Sequence, residues 1–199
     1  MIVNRDKALE LLHSKMQSQN LRKHCYSVAA VMMDLAKHFG EDEEKWGIVG
    51  LLHDGDYEFT KTDPGNHAKL MANWVRELGE TDEELLTGIE SHGWFHEGLR
   101  PVGPMARRGK LPKSKMQWSL FCCDELTGLI IAVTLIRPDK KLATVTVDNI
   151  LSKWNQKSFA AGVKREDIEN CDKELGIKLP VFIQIALTAM QGISKDLGL

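Results

Sequence analysis

Apolar residues recur at every third or fourth position along most of the chain, which is the spacing of one face of an α-helix. Polar caps such as Asn4 and glycines such as Gly40 and Gly79 mark helix boundaries, and Thr81-x-x-Glu84 has the form of a capping box. The pattern predicts helices over residues 5–16, 21–39, 46–52, 66–78, 82–92, 115–135, 165–175 and 181–197.

Residues 144–147 are β-branched and could be mistaken for a strand. No other β-rich run is present to pair with them, so we expect an extended segment or the start of a helix that continues to Trp154. With no repeat or linker along its length, the chain is predicted to be all-α and to form a single domain over residues 1–199.

Residues 93–115 form the one long irregular stretch, rich in Gly, Pro, Lys and Arg. A loop of this length in a compact domain is typical of a functional or a disordered segment. A solvated basic surface loop is an equally good interpretation, and the role of residues 100–115 stays open.

Composition and charge place the chain among ordinary globular proteins, with 43% hydrophobic and 27% charged residues. The net charge of −2 gives no support for general nucleic-acid binding or for attachment to a membrane surface. The four cysteines show no C-x-x-C spacing, which favours reduced thiols. The N-terminus becomes charged too early for a signal peptide, and the most apolar run, residues 128–136, is too short to span a bilayer. We therefore expect a cytoplasmic protein.

The pair His53-Asp54 follows directly after a run, Trp46 to Leu52, that is apolar on nearly all sides. Such a helix belongs in a core, where an imidazole and a carboxylate are costly unless both are paired. A divalent cation would pair with both groups. A helix C-terminal histidine with a capping aspartate is the alternative, and the dipeptide alone does not decide between them.

Further metal-capable side chains lie on or beside the apolar faces of other predicted helices. A metal centre shared by these groups would satisfy all of them at once, whereas each would be costly in a core alone. His13 and His38 are predicted to be surface residues, and His96, in the long loop, could be either. The candidate ligands are His24, His53, Asp54, His67, His92 and Asp124.

The series His24…His53-Asp54…Asp124 resembles the H…HD…D signature of the HD superfamily of metal-dependent phosphohydrolases, and the likeness covers about residues 20–135. It implies an HD-domain helical bundle, with additional C-terminal helices over about 136–199. A wider likeness to a group of uncharacterised HD hydrolases is carried by residues 53–58, 124–130, 137–138 and 157–163. That group brings no known substrate.

By this resemblance His24, His53, Asp54 and Asp124 would hold one divalent metal ion, and Asp54, His67 and His92 a second, with Asp54 bridging. Local hydrogen bonding of His67 and His92 near helix ends is the alternative for the second site. Fe, Mn, Zn, Co and Mg all remain candidates for the metal, and one or two ions are left open.

The resemblance implies a phosphohydrolase that cleaves a phosphoester of a nucleotide or other small phosphorylated metabolite with metal-activated water. Asp54, Asp56 and Glu58 are the candidate catalytic carboxylates; the last two could instead support the ligands or lie at the surface. Phosphate also requires fixed positive charge. The candidate substrate-binding residues are Lys23, Arg137, Lys153 and Lys157, with the basic loop.

Two other functions remain open. Some HD-fold proteins use the same six ligands to hold two irons and activate dioxygen. A non-catalytic ligand-binding HD module would keep the scaffold without chemistry. Neither a membrane nor general nucleic-acid binding is expected, and the oligomeric state is left open.

Overall fold

The computed structural model describes residues 2–92 and 112–199, and throughout these ranges the chain forms helices, turns and loops without a strand. The predicted all-α class is confirmed. The α-helices of the described part are α1 (Arg5–Lys15), α2 (Gln19–Phe39), α3 (Glu43–Leu52), α4 (Tyr57–Thr60), α5 (Lys69–Glu77), α6 (Glu83–Ser91), α7 (Lys115–Ile136), α8 (Val147–Leu151), α9 (Arg165–Ile168), α10 (Asn170–Leu175), α11 (Leu179–Gly192) and α12 (Ser194–Leu197).

Helices α2 and α3 pack against each other more extensively than any other pair of described helices, and glycines on α3 allow them to approach closely. A Cβ added at Gly50 would lie 2.9 Å from the Cα of Ala29 on α2, well inside van der Waals contact. A Cβ at Gly47 would lie 2.7 Å from the Cγ of Met33. The C-terminal end of α3, which leads into His53, is therefore held directly against α2, which carries His24.

Helix α7 runs through the core and contacts α2, α6 and α8 to α11. It begins at an N-cap, Ser114, whose side chain accepts a hydrogen bond from the backbone N–H of Gln117. By length and composition it could cross a membrane, with a mean hydropathy of 1.8 over its most apolar window. The prediction against a membrane span rested only on the apolar run 128–136, which is too short to span a bilayer, whereas the whole helix α7 is long enough. Since 56% of that window is buried within the protein, its packing accounts for its apolar character.

The region between α4 and α6 departs from the predicted pattern. A 3₁₀ turn, Pro64–Asn66, replaces the predicted helix start, and α5 begins only at Lys69. His67 therefore lies in the connection, not on the apolar face of a helix. The N-cap residue of α6 is Asp82, whose carboxylate accepts hydrogen bonds from the backbone N–H groups of Glu84 and Leu85. The predicted capping box with Thr81 as the N-cap was therefore wrong.

The C-terminal third is more interrupted than predicted. The helix expected over 165–175 is divided into α9 and α10 at Glu169, and the one expected over 181–197 is divided into α11 and α12 at Ile193. Residues 144–147 end a 3₁₀ turn and start α8, with Thr146 and Asn149 forming a capping box. Val145 and Thr146 are extended and α8 begins at Val147, so the stretch is an extended segment that leads into a helix. That helix stops at Leu151 and does not continue to Trp154.

The predictions for the cysteines and for the histidines outside the candidate ligand set can also be compared with the structure. All four cysteines are buried and free, as reduced thiols require. His13 and His38 are exposed, as predicted. Most of the long irregular stretch and His96 lie outside the described residues.

Candidate metal centre

The side chain of His53 is fixed by the end of helix α3. His53 is the C-cap residue, and its backbone N–H donates to the carbonyl of Val49. Its ring Nδ1 lies 2.7 Å from the carbonyl oxygen of Gly50, and a carbonyl can only accept, so Nδ1 carries the proton. The opposite nitrogen, Nε2, therefore presents a lone pair to the interior, where His53 is fully buried.

A first group of ligand atoms surrounds this lone pair. His24 Nε2 lies 3.2 Å from His53 Nε2 and 2.8 Å from Asp124 Oδ1. His53 Nε2 is 3.5 Å from the same Asp124 oxygen. Asp54 Oδ2 completes the group, 3.7 Å from His24 Nε2 and 3.8 Å from His53 Nε2.

A second group meets the other oxygen of Asp54. His67 Nε2 and His92 Nε2 each lie 3.1 Å from Asp54 Oδ1. His92 Nδ1 also lies 3.8 Å from Asp124 Oδ2. Asp54 thus directs one carboxylate oxygen to each group, which is the arrangement that a bridging carboxylate needs. The structure brings all six predicted ligands together.

The outward nitrogens of three of these histidines are held by neighbouring groups. Thr127 donates its hydroxyl proton to the carbonyl of Asp124, and its Oγ1 lies 3.4 Å from His24 Nδ1. Asp56 Oδ1 lies 2.7 Å from His67 Nδ1, while Asp56 Oδ2 accepts from the backbone N–H of Met71. With the contact between His53 and Gly50, each ring is oriented so that Nε2 points into the cluster. Outer contacts of this kind are typical of metal-binding histidines.

Charges within the cluster are strongly coupled. Burial alone lowers the pKa of His24, but the hydrogen bond and charge of Asp124 outweigh it and raise that pKa to about 9. Burial likewise lowers the pKa of His67, whereas Asp54 and Asp56 raise it to about 9. Burial would raise the pKa of Asp54 and of Asp124, yet the neighbouring histidines hold both well below their usual range. The two aspartates are therefore ionised and need positive charge beside them.

The donor set fits a divalent cation. Ligand bonds of about 2.1 Å place neighbouring ligand atoms roughly 3.0–3.4 Å apart, and the observed separations of 2.8–3.8 Å bracket that range. Imidazole with carboxylate suits Zn, Mn, Fe and Co, so the residues do not select one metal. Among the described residues, two sets of three have ligand atoms close enough to hold one ion. His24, His53 and Asp124 belong to the first group, whereas His53, Asp54 and His92 join the first group to the second.

A cavity of about 670 Å³ opens onto the cluster at His67, His92 and Asp124. Its other walls come from α4, α7 and the segment before α9, and they include Lys61 and Lys164. Glu125 also lines it; burial and the adjacent Asp124 raise the pKa of this carboxyl to about 7. Further lining residues are Tyr57, Thr60, Pro64, Phe121, Ala161, Gly162 and Asp167.

Three cavity residues, Lys61, Lys164 and Glu125, were not predicted from the sequence. Two of them could have been found from the sequence. Glu125 lies directly beside the candidate ligand Asp124, and Lys164 directly follows the stretch 157–163 that carries the wider resemblance. Nothing in the sequence brought Lys61 and Lys164, about a hundred residues apart, into one cavity.

The structure places several predicted site residues elsewhere. Glu58 accepts hydrogen bonds from the backbone N–H groups of Gln17 and Ser18, so its carboxylate fastens α4 to the connection between α1 and α2. The ammonium group of Lys23 lies beside Gly198 near the C-terminus, since a Cβ built on Gly198 would be 3.0 Å from Lys23 Nζ.

Arg137 is also remote from the cluster. It follows the last residue of α7, thirteen residues after Asp124, which at 1.5 Å per residue is about 20 Å along the axis. Its guanidinium binds Asp139 and Asn149 instead. The structure therefore does not bring Arg137 to the ligand cluster, because the prediction followed chain order and not the helix length.

Lys153 and Lys157 lie by the loop after α8. Lys153 Nζ is 5.7 Å from the centre of the Phe159 ring and 3.3 Å from Gln156 Oε1. Lys157 lines a separate hollow of about 420 Å³, which shares Ala161 and Lys164 with the larger cavity. Neither residue lines the cavity over the cluster. The basic residues 100–110 lie outside the described residues.

Comparison with known proteins agrees with this geometry. The chain is 30% identical over 89 residues to Ribonuclease Y of Oleidesulfovibrio alaskensis, and the match spans 45% of this chain but only 16% of that relative. No solved structure matches the chain. The HD domain profile matches residues 21–126, more than half of the chain, and this range includes all six ligand positions from His24 to Asp124. The chain belongs to the HD domain family, within the superfamily of metal-dependent phosphohydrolases.

Proposed function

We propose that the protein is a metal-dependent phosphohydrolase that cleaves a phosphoester of a nucleotide or another small phosphorylated metabolite. One observation carries the proposal: three histidines are held at Nδ1 by the protein and direct Nε2 to a pair of ionised aspartates. Ligands oriented in this way are arranged to receive a cation.

Six residues would hold the metal, with Asp54 shared between the two groups. A divalent ion bound there would lower the pKa of a coordinated water and neutralise charge on a phosphoryl oxygen. The chain's own part is to fix the ligands: Gly50 and Thr127 orient two of the histidines, and Asp56 orients His67. Asp56 thereby supports a ligand, one of the two roles predicted for it.

The cavity supplies room for a substrate beside the cluster. A volume of about 670 Å³ lies within the range of small-molecule sites and would accommodate a nucleotide. Glu125 lines the cavity beside Asp124, and burial together with the charge of Asp124 raises the pKa of its carboxyl. Its position in the cavity, next to a candidate metal ligand, suits a proton-transfer role, which we assign to it in place of the role predicted for Glu58.

The name of the matched relative, Ribonuclease Y, supports phosphoester chemistry and a substrate related to nucleotides. Only a small part of that protein is matched, so its polymeric substrate is not carried over. A cytoplasmic location remains our proposal for this chain.

An HD-fold di-iron oxygenase is the alternative, because the same six ligands could hold two irons. The two lysines in the cavity favour the phosphohydrolase, since a phosphoester substrate requires fixed positive charge.

The proposal is tested by screening phosphate release from nucleotides and small phosphoesters, with protein supplied separately with Mn²⁺, Fe²⁺, Co²⁺ or Zn²⁺. We expect at least one substrate to be hydrolysed by the wild type and none by Asp54→Ala. Equal activity of the two proteins would refute the assignment. Dioxygen consumption without phosphate release would favour the oxygenase.

A further inference from the structure

The segment of residues 157–164, between α8 and α9, forms one wall of the cavity over the cluster, and we call it the wall loop. Ala161 and Gly162, in its middle, line the cavity. The same cavity opens onto three of the candidate ligands, His67, His92 and Asp124. A substrate that fills the cavity beside the cluster therefore contacts the wall loop.

The end of the wall loop is held against α7 beside the cluster. The backbone N–H of Lys164 donates a hydrogen bond to Glu125 Oε2 at 3.2 Å, and Glu125 directly follows the candidate ligand Asp124. Further along α7, a Cβ added at Gly128 would lie 3.8 Å from Val163 Cγ2. The wall loop thus meets α7 within about one helical turn of a metal ligand.

The middle of the wall loop is open on two sides. Ala161 and Gly162 are exposed, and Ala161 lines both the cavity and the second hollow of about 420 Å³. Among the described residues, a Cβ added at Gly162 would have no neighbour within 4 Å. Ala160 adopts a positive φ of 45°, which is unfavourable for a residue with a Cβ and persists only where the surroundings impose it. Open space cannot impose this conformation, so hydrogen bonds must hold it.

Arg165, the first residue of α9, provides these hydrogen bonds. Its Nη1 donates to the carbonyls of Ala160 and Val163 at 2.7 and 2.8 Å, and its Nη2 donates to the carbonyl of Phe159 at 2.5 Å. Because the guanidinium is planar and rigid, one side chain fixes three carbonyls in one geometry. Arg165 lines the second hollow and not the cavity, so it acts on a ligand in the cavity only through the wall loop.

On the basis of the proposed function, we infer that Arg165 is a positioning residue for substrate binding. By fixing the wall loop, it sets the shape of the cavity beside the cluster, and substrate affinity depends on that shape. The contacts that orient the ligand histidines come from Gly50, Thr127 and Asp56, which lie outside the wall loop. Loss of Arg165 therefore weakens substrate binding and leaves metal binding intact.

The test compares wild type, Arg165→Ala and Arg165→Lys, each supplied with Mn²⁺ and offered the four ribonucleoside 5′-monophosphates, ribose 5-phosphate and glycerol 3-phosphate. Isothermal titration calorimetry gives Kd for a compound that binds without turnover, and steady-state kinetics give KM and kcat for one that is hydrolysed. We expect Arg165→Ala to raise Kd or KM about ten-fold, with kcat within about two-fold, because three charge-assisted hydrogen bonds are lost. Arg165→Lys keeps the charge without the planar fork and should have a smaller effect. Elemental analysis should find the same metal content in all three proteins.

Two further variants separate the wall loop from general effects of losing an arginine. Arg76→Ala removes another half-buried arginine, which binds Asn73 and Glu90 and does not line the cavity, and it should bind substrate like the wild type. Gly162→Leu leaves Arg165 in place and adds a side chain to the wall at a residue without a positive φ. It should weaken binding about ten-fold while the urea midpoint does not fall, since no neighbour is displaced.

Each outcome decides the inference. Wild-type Kd or KM in Arg165→Ala would overturn it even if the urea midpoint fell, because Arg165 would then serve the fold alone. Loss of metal from Arg165→Ala, a lower kcat at unchanged KM, or a wild type that binds none of the compounds would also overturn it. If Arg165→Ala does not fold, Gly162→Leu decides: weaker binding keeps the inference, and wild-type binding overturns it. Binding that depends on Arg165, in a protein that hydrolyses nothing, would keep the inference and refute the proposed function.

Discussion

Replacing Gly50 by alanine tests how the fold positions the cluster. The added Cβ would lie 2.9 Å from Ala29 Cα and 3.0 Å from Ala29 N, both backbone atoms that cannot rotate away. Carbon atoms pack at about 3.5–4.0 Å, so helices α2 and α3 must separate by roughly 0.6–1.1 Å. Forcing a core apart in this way costs about 1–3 kcal/mol of unfolding free energy.

The same displacement reaches the ligands, because His24 lies on α2 and His53 is bound through its ring to the carbonyl of Gly50. Their Nε2 atoms are 3.2 Å apart, so a shift of this size would widen the separation to roughly 3.8–4.3 Å, beyond the roughly 3.0–3.4 Å that bonds of about 2.1 Å favour. We expect metal affinity to fall about 10–100-fold, the scale found when a ligand loses its support.

Competition with a chelating dye measures the affinity, and urea unfolding of the metal-free protein measures the stability. Gly192→Ala is the matched control, since its Cβ would have no neighbour within 4 Å and α11 should gain up to about 1 kcal/mol. Unchanged metal affinity and an unchanged urea midpoint in Gly50→Ala would show that the close contact between α2 and α3 does not position the ligands.

Three further predictions concern the surroundings of the cluster. His24 and His67 have pKa values of about 9, above the usual 6.5, so the stability they confer on metal-free protein is complete below pH 6.5 and is lost as pH rises through 9. This loss should lower the melting temperature of the metal-free protein between pH 6.5 and 9, and a flat profile would contradict the raised pKa values of the two histidines. Asp56→Asn should reduce the amount of metal bound per chain, because His67 loses the carboxylate that orients its ring while the backbone N–H of Met71 keeps an acceptor. Full metal content of this variant by elemental analysis would contradict the role of Asp56 in orienting His67. Glu58→Gln should change the hydrolysis rate less than two-fold and cost about 1 kcal/mol in urea unfolding, since its contacts are to the backbone of a connection; a rate loss of about a hundred-fold would restore its predicted catalytic role.

Most of the candidate ligand set could be predicted because its members carried a local signal. His53 and Asp54 follow an apolar helix, and His24 and Asp124 lie beside apolar faces, so burial without a partner would have been costly. His67 was assigned to the cluster for the wrong reason, because a 3₁₀ turn and Ala68, with a positive φ of 65°, delay the start of α5. Asp56 orients the ring of His67 in this connection, and helical periodicity does not reveal that contact.

The substrate cavity could not be predicted, because its walls come from distant parts of the chain. Lys61 and Lys164 line one cavity because α4 and the segment before α9 both border it, which no local pattern encodes. Arg137 was chosen for its position after α7, yet a helix of 22 residues carries it far from Asp124. Local chemistry thus indicated the metal ligands, while substrate contacts required the assembled bundle.

The most direct test of the central claim is the metal content of wild type and Asp54→Asn, measured by elemental analysis after expression in metal-supplemented medium and extensive dialysis. Asparagine keeps the shape of the side chain but removes the charge that both ligand groups share. We predict one or two divalent ions per chain in the wild type and substantially less in Asp54→Asn, with both proteins folded by circular dichroism. Equal metal content in the two proteins, or a wild type that retains no metal, would contradict a metal centre at these six residues.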